Sequence, residues 1–270
     1  MLEQITPFIL TYNEAPNIGR ALAQLRWAGE IVVVDSGSDD DTLAIVAQFP
    51  QARVVQRPFD CFANQANFAL KETDIKTAWV LALDADYILT PEIVEEIKGL
   101  SPSAPVDGYR AGFVYCIYDK QLRGTAYPPV AVLYRRERAN YRQDGHAHRV
   151  EINGTVRELN SRILHDDRKP LARWFRSQIR YAAEEAEKLA ALTPAELSKN
   201  DRIRLKRYFA PFFVLIYCLF IKGNILDGRA GIFYAFQRML AETLLSLHLL
   251  DKDVQPEEFK VQSSKFKVQS

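Results

Sequence analysis

The 270-residue chain is long enough for one large domain, or for one domain of ordinary size with an appendage. Its apolar fraction of 48% and charged fraction of 26% are typical of a globular protein and exclude a chain that is disordered throughout. The cysteines Cys61, Cys116 and Cys218 are odd in number and widely spaced, which argues for a reducing compartment and against a disulfide scaffold. The first residues lack the basic and apolar segments of a signal peptide, so none is expected.

Charge is unevenly distributed, although the formal net charge is only +1. Residues 1–100 contain 7 Lys and Arg against 15 Asp and Glu, whereas residues 101–250 contain 24 against 15. An acidic first part beside a basic second part predicts a metal site and a surface that meets an anionic partner. Nucleic acid, phospholipid and a phosphorylated substrate all satisfy the charge pattern alone.

The first hundred residues alternate between short apolar runs and segments with helical spacing. The apolar runs predict buried strands at Ile5–Thr11, Glu30–Asp35, Arg53–Gln56 and Trp79–Leu83. Helices are predicted to begin near Ile18, Leu43, Phe62 and Pro91. Alternation of strands and helices with short links predicts a mostly parallel sheet, in which ligands bind beyond the carboxyl ends of the strands.

The last of these strands runs into two carboxylates one residue apart, Asp84 and Asp86. Because alternate residues of an extended strand point to the same side, both can reach one ion. Such ligands suit Mg²⁺ or Mn²⁺ holding a phosphate group; the alternative is that Asp84 caps a turn and Asp86 is solvated. Polar clusters also follow the first two strands, at Thr11–Glu14 and Asp35–Ser38, and three clusters at one edge favour the metal interpretation.

Four motifs in these hundred residues occur in a recognisable order. They are Thr11-Tyr12-Asn13-Glu14, Val33-Val34-Asp35-Ser36-Gly37-Ser38, Gln65-Ala66-Asn67-Phe68-Ala69-Leu70 and Leu83-Asp84-Ala85-Asp86. Together they resemble the motifs of family 2 glycosyltransferases, in particular bacterial enzymes that add a sugar to lipopolysaccharide core or similar envelope glycans. The resemblance is strong over residues 5–100 and weaker through Leu159–His165 and Gly223–Gly231.

The resemblance implies an α/β GT-A fold, a Rossmann-like and mostly parallel sheet with helices on both faces, followed by an α-helical C-terminal region. It also implies an inverting transfer from a nucleotide-diphosphate sugar, with a UDP-sugar as the expected donor. The implied donor-binding residues are Thr11, Tyr12, Asn13, Glu14, Asp35, Ser36, Asn67 and Asp84. Asp84 and Asp86 would hold Mn²⁺ or Mg²⁺ on the pyrophosphate, and Tyr87 departs from the family, where a further acid is common.

Inverting transfer requires a base that takes the proton of the acceptor hydroxyl. Asp144 is the candidate, because a carboxylate is already ionised at neutral pH, with His146 or His148 as substitutes. In the resembling enzymes a glutamate follows the histidine that aligns with His148, whereas Arg149 stands here. An ordinary Asp-Gly turn beside solvated histidines is the alternative.

His165 is a candidate third metal ligand, because neutral imidazole binds Mn²⁺ acceptably. A structural histidine, or a turn capped by Asp166 and Asp167, is the alternative at this position.

The second half begins with alternating, aromatic-rich runs between residues 108 and 135, which predict an antiparallel extension of the sheet. An amphipathic helix is predicted from Leu171 to Leu189. Basic residues then precede the apolar run Ala210–Ile221, which is 12 residues long and so short of the ~20 needed to span a bilayer. With the apolar-rich helix Ile232–Leu250, it predicts a helical pair in a membrane interface, the alternative being a buried hairpin.

These patterns predict a catalytic domain over residues 1–165, a helical region over 166–250 and a disordered tail over 251–270, where a pentapeptide repeats. The predicted protein is a metal-dependent hexosyltransferase at the cytoplasmic face of the membrane, acting on a lipid-linked or envelope glycan and not on nucleic acid. A nucleotidyltransferase would more often carry a glycine- and lysine-rich loop after the first strand. A membrane-associated scaffold with a degenerate site is the non-enzymatic alternative.

Overall fold

A computed structural model describes residues 1–101, 105–145 and 147–255. The chain divides into two units, one ending at Pro170 and the other beginning at Leu171. Each unit has its own set of buried apolar side chains.

The first unit opens with four parallel strands and the helices between them. The strands are β1 (Ile5–Thr11), β2 (Ile31–Asp35), β3 (Ala52–Gln56) and β4 (Trp79–Asp84). The helices are α1 (Ile18–Ala23), α2 (Thr42–Val46), α3 (Phe62–Glu72) and α4 (Pro91–Gly99). The order β3-β2-β1-β4 confirms the predicted parallel sheet.

The sheet continues with strands that run in both directions. They are β5 (Tyr87–Ile88), β6 (Gly108–Ile117), β7 (Lys120–Gln121), β8 (Val130–Arg135) and β11 (Val156–His165). Antiparallel pairing of β8 with β4 and with β6 confirms the predicted extension, and β11 pairs parallel to β6 and antiparallel to β5.

A separate hairpin of β9 (Ala139–Asp144) and β10 (Ala147–Ile152) lies on either side of the Asp144-Gly145 turn, and the sequence analysis did not predict these two strands. Its buried side chains, such as Tyr141, alternate with exposed polar ones, so the two-residue period is present but is masked by arginines and glutamates. His146 lies outside the described residues.

Side chains on alternate positions of the central strands enter two different apolar layers. Ile9, Val33 and Leu81 pack in the layer that contains α1 and α4, whereas Phe8 and Val80 pack in the layer that contains α3. Because both faces are covered, the strands are apolar at successive positions and not only at alternate ones.

The second unit is helical, as predicted. Its helices are α5 (Leu171–Ala191), α6 (Lys199–Arg204), α7 (Ala210–Ile216) and α8 (Gly228–Val254). A π-helical turn, Tyr217–Ile221, and a 3-10 turn, Asn224–Asp227, connect α7 to α8. Ala182, Ala186 and Leu189 of α5 pack on α8.

Helix α8 is longer than the predicted Ile232–Leu250 at both ends. Its last turn enters the predicted tail and ends at Val254, where Gln255 N–H donates to Asp251 O and Lys252 Nζ donates to Ala186 O. The rest of that tail, 256–270, lies outside the described residues.

The glycines of the Gly223–Gly231 segment are explained by the turn between α7 and α8. Gly223 and Gly228 have φ of +72° and +62°, in the region that favours glycine. At Gly231 a Cβ atom would lie 1.8 Å from the carbonyl oxygen of Asn224. Gly223 and Gly228 therefore serve the backbone conformation of the turn, and Gly231 serves close packing.

Across the described ranges, no single helix is both long and apolar enough to cross a membrane. The pair Ala210–Ile221 and Asn224–Val254 meets the length and composition required only when taken together, and it is bent by 69°.

Candidate functional site

The ends of β1, β2 and β4 lie side by side at one edge of the sheet. Thr11 pairs with Asp35, and Leu10 pairs with Asp84, so the polar residues after these strands meet at a common edge. The register therefore brings the three predicted polar clusters together.

The loop after β2 is organised by Asp35, which is fully buried. Its carboxylate accepts hydrogen bonds from Gly37 N–H and Ser38 N–H, each at 2.9 Å, and from Ser38 Oγ at 2.5 Å. Backbone donors compensate the cost of burying this charge. Asp35 thus fixes the conformation of the loop that follows β2 at this edge of the sheet.

The loop after β1 is tied to the loop after β2. Asn13 N–H donates to Ser38 Oγ at 2.8 Å, and the Asn13 amide exchanges two hydrogen bonds with Asp39. Asn13 has φ of +55°, a conformation that asparagine tolerates better than most residues. The strained turn leaves the Tyr12 side chain 51% exposed at the edge.

The remaining predicted donor-binding residues take different positions. Thr11 is buried, and Ser36 Oγ accepts from Gln65 Nε2 at 2.8 Å. The Asn67 amide makes two hydrogen bonds of 2.9 Å with the backbone of Tyr141, one as donor and one as acceptor. Asn67 therefore fixes the β9–β10 hairpin to α3.

Glu14 is buried at the centre of a polar network. Its carboxylate accepts from Asn17 Nδ2 at 2.8 Å and from Lys169 Nζ at 2.7 Å. Burial raises the pKa of Glu14, an effect that Lys169 partly offsets. Lys169 also lies 3.4 Å from Asp167 and 3.8 Å from Asp86.

Asp86 and His165 face each other at the metal position that the sequence predicted. Asp86 Oδ2 lies 3.4 Å from His165 Nε2. Burial raises the pKa of Asp86, but His165 and Lys169 outweigh this and hold that pKa well below its usual range. Burial likewise raises the pKa of Asp84, and the charge of Asp86 adds to the effect.

Aromatic rings surround His165. The ring centroids of Tyr115, Tyr127 and Tyr87 lie 4.7, 5.0 and 5.1 Å from its own. The hydroxyls of Tyr87 and Tyr127 share a hydrogen bond of 3.1 Å. Tyr87, the departure from the family pattern, therefore packs against the candidate ligand His165.

The two candidate bases lie on the β9–β10 hairpin but in different surroundings. Asp144 is ion-paired with Arg149, the residue that stands in place of the family's glutamate. His148 stacks on Phe62, with ring centroids 5.6 Å apart. Burial lowers the pKa of His148, and the charge of Asp84 partly offsets the effect.

The sequence interpretation missed Lys169, Asn17 and Tyr127 as parts of this edge. The sequence did contain an indication of Lys169, because this residue lies in a charged segment with Asp166 and Asp167 that comes directly after β11. The sequence around Tyr127 gives no such indication. Its loop comes close to His165 through the pairing of β6 with β11.

The donor atoms present fit a divalent cation held jointly with a phosphate group. Asp86 Oδ1 is buried and has no hydrogen-bond partner within the described ranges, so an oxygen is available to a cation. Among these residues no group of three or more His, Cys, Asp or Glu side chains is close enough to hold a metal by itself. Mg²⁺ commonly takes only one or two carboxylates and completes its shell with water and substrate phosphates.

Comparison with known proteins identifies the class. The model of Glycosyl transferase family 2 matches residues 8–158, which contain all three strand-end clusters. The chain belongs to this family. Its mixed sheet covered by helices, followed by a helical region, confirms the predicted GT-A fold class. Family membership supports a glycosyltransferase over the nucleotidyltransferase and the degenerate scaffold.

Relatives match between about half and nine tenths of the chain. An uncharacterized glycosyltransferase of Rickettsia felis is 28% identical over 264 residues, covering 90% of this chain and 92% of its own. The lipopolysaccharide core biosynthesis glycosyltransferase LpsC of Rhizobium meliloti is 32% identical over 143 residues, or 51% of this chain and 49% of its own. The crystal structure of S. aureus TarS has 15% identity and a TM-score of 0.49, covering 92% of this chain and 55% of that one.

Replacement of Asn67 by alanine should loosen the hairpin that carries His148. Both hydrogen bonds to Tyr141 are lost, and net values of about 1 kcal/mol per bond predict at least about tenfold faster amide exchange over residues 139–145. Hydrogen exchange followed by mass spectrometry measures this. Asn64→Ala is the control, because Asn64 on the same helix donates only to exposed Asp60; equal exchange in both variants would contradict the assignment.

Proposed function

We propose that this family 2 enzyme transfers a sugar, with inversion, from a UDP-sugar to a lipid-linked or cell-envelope glycan. The observation that carries the proposal is the convergence of Tyr12, Glu14 and the Asp84–Asp86 pair at one edge of the sheet. The relative LpsC, named for lipopolysaccharide core biosynthesis, supports the acceptor class.

The donor would bind along this edge. Exposed Tyr12 offers a ring face for the nucleobase, and Thr11, Asn13 and Glu14 continue the wall toward the ribose. Asp35 and Ser36 would contribute through the shape and backbone of their loop, because their side chains already bond within it or to Gln65. Asn67 would influence the donor sugar indirectly, because it holds the β9–β10 hairpin in place.

Together with oxygens of the donor diphosphate and water, Asp84, Asp86 and His165 would hold Mn²⁺ or Mg²⁺. When bound, such an ion neutralises the charge that develops on the leaving diphosphate. Asp86 contributes an oxygen that has no other partner within the described residues, and the surrounding tyrosines keep His165 in place.

Of the candidate bases, His148 is favoured over Asp144. A lowered pKa keeps the imidazole neutral and able to accept a proton at neutral pH. The Asp144 carboxylate is already engaged in an ion pair with Arg149.

The activity is tested by a screen of nucleotide sugars for donor hydrolysis with Mn²⁺ present. Asp86→Asn removes a metal ligand charge and should reduce hydrolysis at least about 100-fold. Asp74→Asn is the matched control, because the Asp74 side chain is exposed and forms an ion pair with the exposed Lys76. Full activity after chelation of Mn²⁺ would refute the metal-dependent mechanism.

The base is tested by comparing His148→Gln with Asp144→Asn on the best donor from that screen. Loss of a general base should lower kcat about 10²- to 10⁴-fold, so the histidine variant should show this loss and the aspartate variant much less. The reverse order of the two variants would assign the base to Asp144.

We also propose that the second unit binds peripherally to the cytoplasmic face of a membrane through residues 200–250. Large apolar side chains are exposed there, several at helical spacing along α7, and we call them the apolar surface. They are Tyr208, Phe209, Phe212, Phe213, Ile216, Phe220, Ile221, Ile225, Leu226, Ile232 and Phe236. Patches of this kind mark interaction sites, and the 69° bend suits a helix pair that lies in the interface.

The charges beside the apolar surface favour an anionic bilayer as its partner. Two exposed cations accompany it: Lys206 precedes its first residue, and Arg229 lies between Leu226 and Ile232. Two arginines near Lys206 form ion pairs inside the second unit. Arg204 pairs with Glu185 and Glu242, and Arg207 pairs with Asp253.

Flotation with vesicles of phosphatidylcholine and phosphatidylglycerol tests membrane binding. Phe212→Glu/Phe220→Glu should weaken binding at least about tenfold, because each buried ring contributes about 1.5–3 kcal/mol. Lys206→Glu/Arg229→Glu should weaken binding to anionic vesicles only.

The control is Tyr118→Asn, which removes an exposed ring from the first unit. Equal flotation of wild type and the double-phenylalanine variant would refute the proposal. A wild type that does not float, and that is dimeric while the phenylalanine variant is monomeric, would assign the apolar surface to self-association.

A further inference from the structure

A single ammonium group stands among the carboxylates of the donor edge. Lys169 Nζ lies 2.7 Å from Glu14 Oε1, 3.4 Å from Asp167 Oδ1 and 3.8 Å from Asp86 Oδ2. Only 18% of its side chain is exposed, so water screens these interactions weakly. The Asp86 oxygen that faces Lys169 is also the one that faces His165.

Lys169 is held in place by its neighbours. Its own N–H donates to Asp167 Oδ1 at 3.0 Å, and Arg168 N–H donates to Asn17 Oδ1 at 3.0 Å. Buried Asp166 binds Arg20 at 2.7 Å and donates its N–H to the carbonyl oxygen of Asp86. The ammonium is therefore a fixed positive charge and not a mobile surface lysine.

We propose that Lys169 is a positioning residue that makes divalent metal binding depend on the nucleotide diphosphate. A fixed positive charge beside Asp86 repels a cation from this carboxylate in the protein without donor. The negative charges of a diphosphate offset the ammonium and restore the attraction. This inference rests on the assignment of the metal to Asp84, Asp86 and His165.

The size of the effect follows from Coulomb's law. A unit charge a few ångströms from a divalent ion, at the effective dielectric of a partly buried site, changes affinity by about tenfold or more. Removal of Lys169 also leaves Glu14 and Asp167 without its charge, which adds to the attraction for a cation. A lysine that served only to hold the loop would have the opposite effect, because loosening the site weakens metal binding.

The test is the binding of Mn²⁺ by the full chain, followed by electron paramagnetic resonance of the free ion, with and without saturating UDP. Lys169→Met should bind Mn²⁺ about tenfold more tightly than wild type without UDP, and should gain less from UDP. Glu14→Gln should change nucleotide-free affinity in the other direction, because one negative charge is removed. Lys169→Arg should behave as wild type.

Lys98→Met is the matched control, because Lys98 lies on α4, is exposed and pairs with Glu95. Unchanged or weaker Mn²⁺ binding in a folded Lys169→Met protein overturns the inference while leaving the proposed function intact. If that variant does not fold, Lys169→Gln replaces it, because it removes the charge and keeps a polar side chain: tighter Mn²⁺ binding without UDP supports the inference, and unchanged or weaker binding overturns it. Absence of Mn²⁺ binding to wild type with UDP overturns the metal assignment, and the inference with it.

Discussion

The site depends on keeping several carboxylates charged at a place from which most water is excluded. Desolvation opposes each of them, and each is compensated differently. Asp35 accepts hydrogen bonds from backbone N–H groups. Asp86 lies beside the imidazole of His165 and the ammonium of Lys169. Glu14 accepts from the same ammonium and from the amide of Asn17. Because Lys169 is shared, Glu14 and Asp86 are electrostatically coupled, so a substitution at one changes the surroundings of the other.

The sequence was most informative where local pattern and topology coincide. Apolar runs that end in Thr11, Asp35 and Asp84 predict both the strands and the shared edge, since parallel strands align their carboxyl ends. The β9–β10 hairpin was missed because its alternation is interrupted by charged residues, and the clamp from Asn67 to Tyr141 joins residues 74 apart. The position of Lys169 beside Glu14 and Asp86 could not be predicted, because these partners lie in the loops after β1 and β4, far from it in the sequence.

In the second unit the sequence predicted helices but could not predict their surroundings. A spacing of three and four residues produces an apolar face whether that face meets protein, lipid or water. The structure separates the cases: Leu245 and Leu249 are buried on α5, whereas Phe212 and Phe220 are exposed. The structure also distinguishes arginines that form ion pairs within the unit from those that are exposed. Arg204 stabilises buried Glu185 and Glu242, a role that a run of basic residues does not reveal.

The position of Lys169, one residue before the end of the first unit at Pro170, limits how the enzyme can be divided. A polypeptide cut at that junction would carry a new terminal carboxylate beside the segment that holds the ammonium. That carboxylate would compete with Glu14 and Asp86 for Lys169. The junction between the units is therefore a poor place for cleavage, although it lies outside residues 8–158, which match the family.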